Sequence, residues 1–191
     1  MPVPIAEGEA VLKPLRAFGE PNLDLIGPMP FTVRQSMLDG TAPASLHFYD
    51  KSQFLSDVDA AIPAILARFP SVPSPRSHVI LGAMGGAVAR VAPEATAFGH
   101  RDAPWILWVI GCWTPGEDAE PNVAWVRGIH DTAVPYGTGG VYVNALGNEG
   151  ADRVRAAYRP EIHDRLVALK NEYDPTNLFR LNQNIAPAPR P

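Results

Sequence analysis

Tyr142 and Asn144 are the residues whose types and spacing first suggest chemistry. Side chains of an extended strand return to one face every second residue. Residues 141–146, read as a strand, would therefore aim a phenol and a primary amide into the same space. Such a pair can hydrogen-bond a planar, polar ring system. The competing reading is structural: a tyrosine with a satisfied hydroxyl at a sheet edge, and an asparagine closing a strand. Asn182-Gln183-Asn184 is a second polar cluster, either a set of ligand contacts or a solvated tail. His100-Arg101-Asp102 is a third. It could present an imidazole or a guanidinium at a pocket mouth, but the preferred reading is that Arg101 and Asp102 pair or cap a turn.

Other chemistries find no foothold. The five histidines are scattered, with no HExxH and no Cys/His cluster at metal spacing, so no metal site is expected. No GxSxG elbow is present, and the glycines of residues 82–86 form neither a GxGxxG nor a P-loop motif; a hairpin bend is the expected role of Gly85-Gly86. The single cysteine, Cys112, lies in an apolar run and reads as a small buried core residue. A net charge of −4 argues against a nucleic-acid partner, which would require a basic face. No signal-peptide pattern opens the chain and no apolar stretch reaches about 18 residues, so neither a membrane association nor export is expected and a cytoplasmic protein is anticipated.

The elements that must position these residues follow from periodicity. Apolar positions predict helices over residues 6–18, with a kink at Pro14, and over 31–38, 56–69, 122–134, 151–157 and 160–173. Ser56 or Asp57 suits the cap of the third. Ile162, Leu166, Leu169 and Tyr173 are expected to form the inner stripe of the last. Strands are expected at 45–49, 78–81, 95–98 and 141–146. Residues 105–113, apolar on both faces, read as the central strand of a sheet covered on both sides. The 21 prolines sit mainly in connections and imply fixed loops. The expected fold is α/β (α+β): one domain, residues 1–191, with a mostly antiparallel sheet of about four to six strands packed with helices, then a C-terminal helix and an extended tail.

Tyr142-Val143-Asn144, the helix from Arg165-Leu166-Val167 to Tyr173-Asp174-Pro175, and Asn177-Leu178-Phe179-Arg180-Leu181-Asn182-Gln183-Asn184-Ile185 closely resemble the C-terminal signature of berberine bridge enzyme-like flavoproteins. These belong to the FAD-linked oxidases related to vanillyl-alcohol oxidase. Glu7 to Leu12, Gly85-Gly86-Ala87-Val88, Thr96-Ala97-Phe98 and His100-Arg101 are similar to the same family's substrate-side domain. The resemblance divides the chain into a substrate-side region, 1–136, and a berberine bridge enzyme-like segment, 137–191.

The resemblance implies an FAD-dependent oxidoreductase in which this half roofs the flavin ring. Tyr142 and Asn144 would lie beside the isoalloxazine, and Asn182 and Gln183 would reach the cofactor or the domain seam. The implied chemistry is hydride transfer from a small-molecule substrate to FAD. Two departures stand out. Ala145 occupies the place of the family's usual ionisable base and cannot transfer a proton. No residues resemble the phosphate-cradling loops of the FAD-binding domain, and Met1 falls where the substrate-side half would begin, so a truncated or split chain, inactive without an FAD-binding domain or subunit, is expected. The alternative is a non-enzymatic binding or self-association module derived from that half.

Overall fold

The computed structural model describes residues 4–20, 22–41 and 43–189. They group into two compact units, divided between Pro43 and Ala44.

In the first unit, α1 (Ile5–Arg16) runs on through Pro14, and α2 (Phe31–Ser36) follows a proline-punctuated loop. No residue of either helix is buried. Arg16 organises this unit: its Nε donates to Asp24 Oδ2 at 2.7 Å and its Nη2 to the Ile26 carbonyl at 2.7 Å, and it also pairs with Glu9. The Ile26 backbone N–H and then the Arg16 guanidinium hold the Asp24 carboxyl below the usual range.

The second unit is built on β1 (His47–Leu55), α3 (Val58–Arg68), β2 (His78–Ala83), α4 (Gly86–Ala89), β3 (Trp105–Trp113), α5 (Ala119–Ala133), α6 (Ala151–Ala156) and α7 (Pro160–Tyr173). The mixed helix-and-sheet class is as the sequence implied. Its sheet is antiparallel in the order β1-β3-β2, so the apolar run at 105–113 is indeed the central strand. Asp57 caps α3 by accepting a hydrogen bond from the Ala60 N–H at 3.0 Å. The alternation of β1 and β3 sends Leu55, Leu107 and Val109 to one face, where Ile65 of α3 and Val126, Ile129 and Ala133 of α5 bury them.

Three strands are fewer than the four to six expected, because two candidates take other forms. Residues 95–98 leave a short turn, Pro93–Ala95, without joining the sheet. Residues 137–142 do run beside the free edge of β1: Thr138 N–H donates to the Phe54 carbonyl at 2.9 Å, and Phe54 N–H to the Gly140 carbonyl at 3.2 Å. The next bond goes to a side chain instead, Tyr142 N–H to Ser52 Oγ at 3.2 Å. The Tyr142 carbonyl then accepts from Ala145 N–H at 3.0 Å, and the chain closes into the single turn Val143–Ala145. Gly85-Gly86 makes no hairpin either; Gly86, at φ +56°, opens α4 in a conformation glycine adopts freely.

Two expected coverings are incomplete. The second face of β3 is only partly roofed, leaving Ile80 of the neighbouring strand 41% exposed. In α7 only Ile162 is buried, while Leu169 and Tyr173 are 51% and 76% exposed, so the C-terminal half of its apolar stripe is left uncovered among the described residues.

Candidate functional site

The partly roofed sheet face carries the site. Ile106 and Trp108 of β3 form its floor, Met84 and Val88 stand at one side, and residues 97–101 and 141–144 close over it with Tyr158. The open cleft measures about 630 Å³. Its aromatic walls support one another edge to face: Trp108 to Tyr142 at 6.0 Å and 78°, and Tyr142 to Phe98 at 6.2 Å and 81°. Phe98 meets Phe54 at 5.9 Å and 71°. These are the offset and perpendicular arrangements that ring quadrupoles favour.

The structure brings Tyr142 and Asn144 together as the sequence proposed, though a turn does this and not a strand. Asn144 Nδ2 donates to the Tyr142 hydroxyl at 2.8 Å. The pair therefore keeps a phenolic O–H donor and the amide carbonyl acceptor for a partner. Ala145, the next residue, is buried at 1% exposure and turned into the protein, so this position offers neither a proton acceptor nor access. Asn182 and Gln183 lie elsewhere. Gln183 Nε2 donates to the Leu146 carbonyl, Asn182 sits at φ +59°, and both line a second depression of about 710 Å³ with Gly147 to Ala151. They meet the Tyr142 turn only through its far end.

His100, Arg101 and Asp102 separate. Arg101 and Asp102 lie in a turn, one of the two roles expected, but they do not pair: Asp102 pairs with Arg159 Nη2 at 2.7 Å, and that hydrogen bond lowers its pKa. His100 stacks on Phe54 with centroids 5.0 Å apart and its Nε2 lies 3.1 Å from the Ala156 carbonyl, so this nitrogen carries the proton. Burial lowers the His100 pKa and keeps the ring neutral. Arg101 remains in the cleft wall.

Sequence reasoning did not assign Trp108 or Asp50 to the site, and named Phe98 only within the segment that resembles the family's substrate-side domain. Asp50 lies one register step from Ser52 on the same sheet face, and Trp108 Nε1 donates to its Oδ2 at 2.6 Å. An acid in the middle of an alternating strand was the signal available. Burial raises the Asp50 pKa; the indole hydrogen bond opposes that shift and the charge of Glu149 adds to it. A carboxyl whose folded pKa is raised contributes stability at low pH that is lost as pH rises through that pKa. Asp50→Asn keeps an oxygen for the indole and removes the titration. Urea midpoints measured between about pH 4 and 7 should therefore show wild type losing stability relative to Asp50→Asn as pH rises. A pH-independent difference would refute this.

Among the described residues, no group of three or more His, Cys, Asp or Glu side chains is placed to hold a metal ion. Cys112 is buried and its thiol pKa is raised by that burial. No helix of the described residues is long and apolar enough to cross a membrane.

Residues 141–186, which hold the Tyr142 turn and the Gln183 tail, match the family model described as berberine and berberine like. Over 98% of its length the chain is 32% identical to an uncharacterized FAD-linked oxidoreductase, YgaK, of Bacillus subtilis (strain 168). Residues 141–186 are a berberine bridge enzyme-like segment, and the chain is homologous to part of the FAD-linked oxidoreductases. It spans 42% of the length of that relative. The (R)-6-hydroxynicotine oxidase of Paenarthrobacter nicotinovorans is 34% identical over 133 residues, 66% of this chain and 28% of that protein. Among solved structures, 6-hydroxy-D-nicotine oxidase from Arthrobacter nicotinovorans superposes with a TM-score of 0.77 at 21% identity, over 97% of this chain and 43% of its own. A variant of berberine bridge enzyme gives 0.76 at 18% identity, over 96% and 44%. These likenesses establish the fold. In the cleft the berberine bridge enzyme-like segment contributes the phenol and amide, while residues before it contribute the aromatic floor.

Proposed function

We propose that this chain forms the substrate-side wall of a flavin site in an FAD-dependent oxidoreductase acting on a small molecule. One observation carries the reading: a phenol and an amide, hydrogen-bonded to each other, stand beside an aromatic cleft within the segment that matches the family. The fit to the cofactor is partial and specific. The Tyr142 hydroxyl and the Asn144 amide offer a donor and an acceptor side by side, which suits the polar edge of an isoalloxazine ring. Tyr142 and Asn144 would hold that edge, and Gln183, fixed to the Leu146 carbonyl, would brace the turn behind them. The diphosphate would be held by groups of an FAD-binding domain or subunit.

FAD, when bound, supplies the redox chemistry, accepting hydride from a substrate C–H. The residues of this chain position and shield. Trp108, Phe98 and Ile106 give the substrate an apolar surface and exclude water. Ala145 can accept no proton, so any base acts from another position.

By itself the chain is expected to retain no stoichiometric flavin, and co-expression with an FAD-binding domain should give a yellow complex absorbing at about 350–450 nm, as isoalloxazines do. Tyr142→Phe combined with Asn144→Ala should weaken that retention. A fully flavinated isolated chain would overturn the dependence on a second domain, and a colourless complex would overturn the flavin-wall reading.

A second reading has its own support. Tyr173, Leu178, Phe179 and Leu181 are 76%, 71%, 77% and 85% exposed and follow one another along the end of α7 and the tail. Exposed apolar surface of this kind seeks a partner. The chain would then be a binding or self-association module, and light scattering showing a flavin-free homodimer would favour it.

A further inference from the structure

Arg101 is the one charged side chain among the described residues lining the cleft, and no acid answers it. Arg16 pairs with Glu9 and Asp24, Arg153 with Glu149 and Arg159 with Asp102. Arg101 takes only neutral partners: Nη1 donates to the Val88 carbonyl at 3.2 Å and Nη2 to Thr96 Oγ1 at 2.8 Å. Its Nε–H is buried with no acceptor. The guanidinium carbon lies over the Phe98 ring, 5.3 Å from its centroid, so the group rests on an aromatic wall. Its neighbour in sequence, Asp102, is diverted to Arg159 at 2.7 Å.

The guanidinium is half-buried, its Nε–H lacks an acceptor and no carboxylate neutralises it. An anion on its accessible face would supply the counter-charge through charge-assisted hydrogen bonds. A guanidinium presents five N–H groups in a fixed fork. Here Val88 and Thr96 take one from each terminal nitrogen and the buried Nε takes a third out of use, which leaves each terminal nitrogen with a hydrogen to donate. Two donors on adjacent terminal nitrogens match the two oxygens of a carboxylate.

We infer that the cleft selects a planar, apolar molecule bearing a carboxylate, with the acid group on Arg101 and the ring system among Phe98, Trp108, Tyr142 and Tyr158. The inference rests on the reading of the cleft as the substrate pocket and names the substrate class. It makes Arg101 a specificity-determining residue. The carboxylate neutralises the guanidinium, and the aromatic body occupies the walls that already pack edge to face.

The test uses three probes of one shape on the 191-residue chain: 2-naphthoate, 2-naphthalenemethanol and 2-naphthylmethylammonium. Affinities are read by NMR titration, following the tryptophan indole N–H signals. Naphthoate is expected to bind at least about tenfold tighter than the alcohol, the ratio that charge-assisted hydrogen bonds support, and the ammonium weakest. The preference should shrink with added salt. Arg101→Gln should bring naphthoate down to the level of the alcohol measured on the same variant, and unchanged indole N–H signals of the ligand-free variant report that the cleft is still folded. Arg101→Lys should restore part of the preference. Equal binding of naphthoate and alcohol by the wild type, or a preference that survives Arg101→Gln, overturns the inference while leaving the pocket reading intact. Failure of all three probes to bind overturns the pocket reading, and the inference with it.

Discussion

Phe54→Ala is expected to destabilise the second unit by about 3–5 kcal/mol, the range for truncating a fully buried phenylalanine. Phe54 has no exposed surface and sits where the sheet meets the roof of the cleft. Its ring stacks beneath His100 at 5.0 Å and meets Phe98 edge to face at 5.9 Å. Its backbone binds the 138–140 segment through two hydrogen bonds. Truncation removes the ring but not those bonds, so the surrounding segments are tethered and can collapse little into the space. The cavity penalty is therefore retained. Because Phe98 supports Tyr142, the damage extends to the site: near-ultraviolet circular dichroism from the aromatic cluster should weaken under conditions where the variant remains folded. Phe54→Leu, which keeps most of the volume, should cost less than about 1.5 kcal/mol. Urea denaturation measures both. A loss below about 1 kcal/mol for the alanine variant would mean that the cluster is not a packed unit.

Much of this architecture was legible because it is local. The unbroken apolar run at 105–113 identified the central strand, and Asp57 ahead of an apolar-periodic stretch identified a helix start that its bond to Ala60 N–H makes physical. What was not legible depends on contacts distant in sequence. Nothing near Tyr142 indicates that Ser52, from the opposite end of the unit, takes its N–H and ends the incipient strand. Likewise Asp102 has an arginine directly beside it, yet it pairs with Arg159, because Arg101 is drawn to Val88 and Thr96 instead. The floor of the cleft was hidden for a similar reason. Trp108 carries an apolar ring that reads as core, and only the strand register reveals an acid within reach of its indole nitrogen. The apolar stripe of α7 shows the converse limit. Its periodicity correctly predicted a helix, but periodicity cannot say what covers the stripe, and here its C-terminal half is left uncovered among the described residues.

Gly140→Ala should have the second large effect, and it separates positioning from packing. A Cβ at residue 140 would lie 2.5 Å from His100 Cε1 and Nδ1 and 3.0 Å from Nε2. Contacts this close force a displacement. The imidazole is poorly placed to yield, since it is stacked on Phe54 and its Nε2–H is bonded to the Ala156 carbonyl. The 137–142 segment must move instead, giving up the Phe54 N–H to Gly140 bond and the Tyr142 N–H to Ser52 bond. Overpacking of this kind costs about 1–3 kcal/mol. Its more diagnostic consequence is at Tyr142, two residues along, which loses its edge-to-face contact with Trp108. Changed indole N–H shifts and reduced probe binding in the cleft are expected, with the sheet and its α3–α5 face left intact in amide-exchange measurements. Combining Gly140→Ala with His100→Ala removes the obstructing ring, so the double variant should cost less than the two single costs added together. Simple additivity would show that residue 140 and His100 are not coupled, and would refute this account.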